Sequence, residues 1–391
     1  MRKAWMRWEK KRLRLFYWVY PAVGLLLGIS VQLNLEGHYQ SWMNSYQDSR
    51  TVWAGIGNSY TLPGNFMISQ GGIMDLQMYG SLYQEVFQHF FYHMTLFLML
   101  QGILTAVVQF FHARQPGGEE YVRSLPVSRA EIWQARIRAG AFGILLTVGA
   151  FSAASIYAWV YHRNWIRIYN LPSTFYEVIL GSESFGHLIL FLLFGFALGL
   201  MVYLVSCLLF TVCNSFLLGL ALSFAVWFVP FYVGNVINHL MLLFFDHEFL
   251  PYASNVLGMA APLRFAEAAE VQFYDGAVDA MVCVIYLPQF WQKLIFVIVV
   301  AAVAYVLGRA ATMHAEETEH VFRTAWIDQT FRIVASVLFG MFAGRMVNIE
   351  RFRFGVVLLL MGIIAVIVYI FLGSLMDLRP KRRAERSGNE E

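Results

Sequence analysis

The sequence predicts an all-α polytopic membrane protein, and two observations carry that prediction. Hydrophobic residues make up 59% of the chain and charged residues only 14%, whereas a soluble domain of this size carries about a quarter charged residues. The apolar residues also fall into runs long enough to cross a bilayer, which takes about 20 residues in a helix. Together these features exclude an ordinary soluble domain.

Eight apolar runs are predicted to be transmembrane helices. They lie at about residues 15–33, 87–111, 140–160, 187–210, 215–232, 290–308, 331–347 and 354–375. The fourth and fifth share one apolar stretch, which is broken only by the polar turn Thr211–Ser215. The seventh is short and has an arginine near each end, Arg332 and Arg345. It also contains Gly340 and Gly344, a G-x-x-x-G step that predicts close packing on a neighbouring helix.

Lysine and arginine are concentrated in three segments, and this distribution predicts the orientation of the chain. The segments are residues 1–14, the loop at 112–139 and the tail at 379–391. Cytoplasmic loops carry the excess of these residues, and an even number of spans places all three segments on one side. We therefore expect both termini in the cytoplasm, with the chain in the plasma membrane. This topology leaves three basic residues outside, Arg345, Arg351 and Arg353.

Three regions follow from this topology. Residues 1–14 are predicted to form a basic interfacial helix, residues 15–378 the transmembrane domain and residues 379–391 a basic cytoplasmic tail. Two long segments, 34–86 and 233–289, are expected on the external side.

The N-terminal helix is expected to lie at the membrane surface and to be retained. The apolar run that follows it reaches Leu33, which is too long for a typical signal peptide, and no small-residue cleavage pattern follows. Trp5 and Trp8 suit the level of the lipid headgroups. The basic residues expected to face anionic lipid are Arg2, Lys3, Arg7, Lys10, Lys11, Arg12 and Arg14.

The sequence offers little to an enzyme or an ion-coupled carrier. The predicted spans hold no Asp or Glu, although such carriers place ionisable groups at membrane depth. The chain has no G-x-x-x-x-G-K-[ST] motif for ATP phosphates, and its three cysteines form no disulfide or zinc pattern. His89 and His93 are four apart and either hold a metal or proton or pack among interfacial aromatics. We expect no catalytic residue, no metal and no cofactor bound by this chain alone.

A polar stretch, EEYVRSLPVSRAEIWQAR at residues 119–136, separates two hydrophobic spans. A short helix is predicted from Glu119 and ends before Pro126, because the residue before a proline avoids the helical region. Ser128 and Glu131 have the spacing of a capping box, and Val127 with Ile132 that of a hydrophobic staple. The stretch therefore predicts a short helix, a sharp corner and a second helix that runs into the third span.

This arrangement resembles the intracellular loop of type-2 ABC exporter permeases, in which a short coupling helix after the second span fits a groove on the ATPase subunit. The residues that match are Glu119, Glu120, Tyr121, Val122, Leu125, Pro126, Val127, Ser128, Arg129 and Glu131. The helix with Trp5, Trp8 and Arg12 is similar to the elbow helix of the same family. The similarity covers 1–160 best, and GRAATMHAEETEHVFRTAW after span six, with two further spans, is similar to the longer Ytr-like permeases.

The resemblance implies a permease driven by a separate ABC ATPase, which would bind ATP and Mg²⁺ itself. The ATPase would push the coupling helix, and the capped corner would tilt spans two and three. A second permease chain, either another copy or a different protein, would complete the path; no nucleic acid is expected as a partner. The expected cargo is hydrophobic or amphipathic, such as a lipid-like compound, a drug or an antimicrobial peptide. The alternatives are a non-transporting ABC-linked scaffold or sensor, and a secondary carrier or intramembrane enzyme.

Overall fold

The structure is a computed structural model, and it is predominantly helical. It describes residues 2–53, 60–62, 66–68, 74–111, 127–168, 185–245, 271–275, 280–284, 287–313, 322, 325–346 and 354–387. Six residues of the predicted coupling segment lie outside this part of the chain: Glu119, Glu120, Tyr121, Val122, Leu125 and Pro126.

Nine helices are found among the described residues. In chain order these are α1 (Arg2–Arg12), α2 (Phe16–Trp53), α3 (Met74–Phe111), α4 (Arg129–Ile168), α5 (Phe185–Val212), α6 (Phe216–Phe245), α7 (Leu287–Met313), α8 (Ala325–Met346) and α9 (Phe354–Ser387). The break between α5 and α6 falls at the polar turn that the sequence predicts.

Six of these helices contain a stretch that is long and apolar enough to cross a membrane. The stretches are Phe16–Gly37, His93–Phe111, Arg129–Tyr161, Leu188–Val212, Lys293–Met313 and Gly355–Ser374. The chain therefore has the helices of a multi-pass membrane protein. Two of the eight predicted spans do not meet the same standard within the described residues. The apolar part of α6, Phe216–Val229, is shorter, and α8 carries Asp328, Arg332 and Arg345, which lower its hydropathy.

Three helices are much longer than a membrane is thick. Helices α2 and α3 have 38 residues each and α4 has 40. At a rise of about 1.5 Å per residue they are about 57–60 Å long, whereas the hydrocarbon core of a bilayer is about 30 Å thick. The segment 34–86 is thus largely an extension of α2 and α3 rather than a free loop.

Two small antiparallel hairpins depart from the predicted all-α fold. Strand β1 (Tyr60–Leu62) pairs with β2 (Phe66–Ile68), and β3 (Val271–Asp275) pairs with β4 (Ala280–Val284). Both hairpins fall in the segments predicted to be external, and β4 contacts α3. Since neither segment had a clear alternating pattern, the sequence did not predict them.

Helix α5 is the centre of the bundle. It contacts α3, α4, α6 and α7, and it is apolar on every side, which is typical of a helix buried all round. Leu98, Ile144, Leu198 and Tyr203 are fully buried between these helices.

Glycines allow α2 to pack closely on α4. A Cβ atom at Gly24 would overlap the Thr147 carbonyl oxygen, and one at Gly28 would overlap Cβ of Ala154. Small residues at such crossings let two backbones approach and pack without a hydrophobic driving force. This G-x-x-x-G step is a close-packing site that the sequence analysis did not identify.

Helices α8 and α9 form a second close pair. A Cβ atom at Gly340 would lie 2.6 Å from the Met361 carbonyl oxygen, and one at Gly344 would lie 2.5 Å from Met361 Sδ. The predicted packing of this G-x-x-x-G step is confirmed, and its partner is the next helix of the same chain.

We expect Gly28→Ala to destabilise the protein, because the added methyl group collides with Ala154. Overpacking of this kind costs about 1–3 kcal/mol. The matched control is Gly149→Ala in α4, where no atom lies within 4 Å of the new Cβ. Thermal unfolding in detergent should show a lower midpoint for Gly28→Ala alone; equal midpoints for the two variants would contradict the close crossing.

Candidate functional site

The corner after the predicted coupling segment is closed by a capping box. The Glu131 amide donates to Ser128 Oγ at 3.3 Å, and the Ser128 amide donates to Glu131 Oε2 at 3.3 Å. Two of the amides that a helix start leaves without a partner are thereby satisfied. The capping box predicted from the sequence is confirmed, and α4 begins at the next residue, Arg129.

The corner also packs on the N-terminal helix. Val127 and Ile132, the predicted staple, belong to one apolar cluster with Met6 and Trp8 of α1. The start of α4 is therefore held against α1 as well as capped.

Arg129 joins the start of α4 to the end of α7. Its Nη1 donates to the Met313 carbonyl oxygen at 3.1 Å, and Met313 is the last residue of α7. The last carbonyls of a helix have no partner within the helix, and the helix dipole favours a cation there. Arg129 thus caps a helix 184 residues away in the chain.

One turn further along α4, Trp133 fixes the same two helices together. It is fully buried, and a Cβ at Gly308 of α7 would overlap its indole ring. The ring also lies 6.3 Å from that of Tyr305, centroid to centroid. The absence of a side chain at Gly308 leaves room on α7 for the indole ring.

A buried ion pair connects α1 to α4. Arg136 Nε lies 3.5 Å from Glu9 Oε1, and both side chains are removed from solvent. The Arg136 guanidinium also lies 4.2 Å from the centre of the Phe110 ring. Burial raises the pKa of Glu9, while Arg136 and Arg12 act in the opposite direction. Nothing near Glu9 in the sequence marks it as buried, because its partner Arg136 is 127 residues away.

Arg12 points towards the bundle. Its guanidinium lies 3.3 Å from the centre of the Trp8 ring, and its Nη1 donates to the Gln109 carbonyl oxygen at 3.2 Å. Burial lowers the pKa of Arg12 to about 10, against the effect of Glu9, so the guanidinium stays charged at neutral pH. The expectation that Arg12 faces lipid is therefore wrong. Trp5 lies in α1, but its side chain is outside the described part of the chain.

Gln109 and Tyr203 continue these contacts into the centre of the bundle. Gln109 Nε2 donates to the Arg136 carbonyl oxygen at 3.0 Å. The Tyr203 hydroxyl lies 2.7 Å from Gln109 Oε1 and 2.8 Å from the Arg136 carbonyl oxygen. A Cβ at Gly140 would overlap the Tyr203 ring, so this glycine makes room for the tyrosine.

We call Glu9, Arg12, Gln109, Arg136 and Tyr203 the polar junction. It joins α1, α3, α4 and α5 at the end of the bundle where α4 begins, and Arg129 and Trp133 add α7. Removing one residue of a buried ion pair destabilises a protein by about 3–5 kcal/mol. The ends of four helices are therefore joined by buried polar contacts.

The described residues include no group of three His, Cys, Asp or Glu side chains that could hold a metal ion. His93, one of the two histidines considered as a metal or proton site, is exposed, and the His89 side chain lies outside the described residues.

We expect Gly308→Ala to destabilise the protein, because the new methyl group meets the buried Trp133 ring. The loss should be about 1–3 kcal/mol. Introducing Trp133→Leu into the same protein should make the alanine nearly neutral, and a double-mutant cycle on unfolding midpoints measures this coupling. Gly362→Ala is the control, since no atom lies within 4 Å of its new Cβ; additive losses at the first two positions would contradict the contact.

The raised pKa of Glu9 predicts a pH-dependent stability. The folded protein holds this proton more tightly than the unfolded chain, so stability falls as pH rises through 4.5 towards the raised pKa. Glu9→Gln cannot ionise and should escape this fall. As the pH is raised from acidic to neutral, the unfolding midpoint of Glu9→Gln should rise relative to that of the wild type. A difference between the two that does not change with pH would show that the Glu9 pKa is not raised.

Comparison of the chain with protein-family models, with curated proteins and with solved structures found no match. Its function is therefore inferred from its own residues and their contacts.

Proposed function

We propose that the chain is the transmembrane permease subunit of an ATP-driven ABC exporter, powered by a separate ATPase subunit. The observation that carries this proposal is the capped corner at Val127–Glu131, which follows the predicted coupling segment directly and is joined to the bundle on several sides. In this proposal the end of the bundle that holds α1 faces the cytoplasm. The basic segments 1–14 and 112–139 support this orientation, because cytoplasmic segments carry the excess of lysine and arginine.

The contacts of the corner support a role in passing on force. A push on residues 119–126 reaches Ser128 first, and the capping box resists bending there. The first two turns of α4 then contact α1 through Ile132 and α7 through Arg129 and Trp133. A flexible loop would absorb the displacement, whereas this corner would pass it to the helices as a tilt.

The polar junction supports a concerted movement of those helices. Gln109, at the end of α3, and Tyr203, in α5, both contact the Arg136 carbonyl. These groups are buried, so separating them would leave polar atoms without partners, at about 1–3 kcal/mol each. If α4 tilts, moving α3 and α5 with it would therefore cost less free energy than breaking these hydrogen bonds.

The composition of the spans supports a hydrophobic or amphipathic cargo. In the six apolar stretches the carboxylates are Glu36 and Glu131, and each lies in a terminal turn rather than at membrane depth. A pathway for small ions would place charged groups at depth. In this proposal a second permease chain completes the path.

The first test is recovery of the ATPase by the full-length chain in mild detergent, with mass spectrometry and an ATP hydrolysis assay. We expect a Walker-type ATPase to co-purify with the wild type and to be lost with Leu125→Asp, because a buried charge prevents docking of an apolar helix face. Hydrolysis stimulated by cargo distinguishes an exporter from a non-transporting scaffold.

The matched control is Leu125→Met, at the same position as Leu125→Asp, since methionine keeps the side chain apolar. It should keep the ATPase, and all three proteins should have similar unfolding midpoints. Absence of any ATPase from the wild-type preparation would contradict the proposal.

A further inference from the structure

The N-terminal helix divides its charges between two faces. Glu9 and Leu13 are fully buried, and Arg12 also turns inward. Arg7, Lys10 and Lys11 are exposed and lie on one side of α1, since they are spaced by three or four residues. Arg14, two residues past the end of α1, is also exposed. The Glu9–Arg136 pair fixes the rotation of α1, so this basic face is directed away from the bundle.

The basic face has no acidic partner in the described part of the chain. No carboxylate there lies within ion-pair distance of Arg7, Lys11 or Arg14. Neighbouring cations repel each other when nothing neutralises them, which destabilises a helix. An external anion would remove that repulsion.

Apolar and aromatic groups adjoin the basic face. Leu15 is 69% exposed and Trp18 is 75% exposed, and both lie just past Arg14. Lys10 Nζ lies 5.2 Å from the centre of the Phe142 ring, which in turn lies edge-on to Tyr17 at 5.4 Å. Cations beside exposed aromatic and aliphatic groups are typical of a surface at the level of lipid headgroups.

We propose that four of the basic residues of the N-terminal segment, Arg7, Lys10, Lys11 and Arg14, form a site for the headgroups of acidic phospholipids. The exposed apolar groups beside the cations favour a bilayer over a soluble acidic protein as the ligand. A bilayer offers an apolar medium directly next to its anionic headgroups. The proposal goes beyond transport and needs no ATPase, so it stands or fails independently of the proposed function.

The lipid preference follows from charge. Attraction of one lysine or arginine to an anionic membrane surface corresponds to roughly a five-fold change in affinity. Loss of two cations should therefore weaken binding of an acidic lipid by roughly ten- to thirty-fold. Binding of a zwitterionic lipid should change little, since it has no net charge.

The test is native mass spectrometry of the full-length protein, titrated with dioleoyl phosphatidylglycerol or with dioleoyl phosphatidylcholine. The wild type should bind phosphatidylglycerol more tightly, and raising the salt concentration should reduce the difference. The double variant Lys11→Gln/Arg14→Gln should lose most of the preference. Lys11→Arg/Arg14→Lys keeps both charges and should keep it.

A second pair of substitutions separates a local site from overall charge. Arg138 and Arg309 are also exposed, and Arg138→Gln/Arg309→Gln removes the same charge outside α1. This control should retain the preference for phosphatidylglycerol. Equal binding of the two lipids by the wild type, or an equal loss in both glutamine variants, would overturn the proposal. Loss of a co-purified acidic protein from the α1 variant, without any lipid preference in the wild type, would also overturn it.

Discussion

The buried contact between Glu9 and Arg136 is the constraint on which the end of the bundle depends. A carboxylate and a guanidinium held away from water are costly unless they satisfy each other and have further partners. The Arg136 guanidinium has such a partner in the Phe110 ring, and the Arg136 main-chain carbonyl separately accepts hydrogen bonds from Gln109 and Tyr203. The rotation of α1 and the direction of its basic face depend on this pair, and the apolar cluster of Val127 and Ile132 with Met6 and Trp8 holds the capped corner against α1.

Close packing at two glycines accompanies the polar contacts between these helices. Gly140 and Gly308 lack the Cβ atoms that would overlap Tyr203 and Trp133, so two large side chains can enter spaces between helices. In lipid, close packing of this kind replaces the hydrophobic effect as the force that joins helices. The polar contacts then determine which helix ends meet, and the glycines determine how closely they approach.

The sequence was informative where the interaction is local. The capping box of Ser128 and Glu131 spans four residues, and the apolar runs that became α3, α5 and α7 are continuous, so both could be read directly. Glu9 and Arg136 are 127 residues apart, and nothing near Glu9 marks it as buried. The count of apolar stretches falls below the eight predicted spans because the apolar part of α6 is short and because charges such as Asp328 and Arg332 lower the hydropathy of α8. The extensions of α2 and α3 were too polar to be recognised as continuations of spans.

The great length of α4 has a geometric consequence. A helix of 40 residues is about 60 Å long, and each degree of tilt about one end moves the other end by about 1 Å. In the proposed exporter, a rotation of a few degrees at the first two turns of α4 would therefore displace its far end by several ångströms.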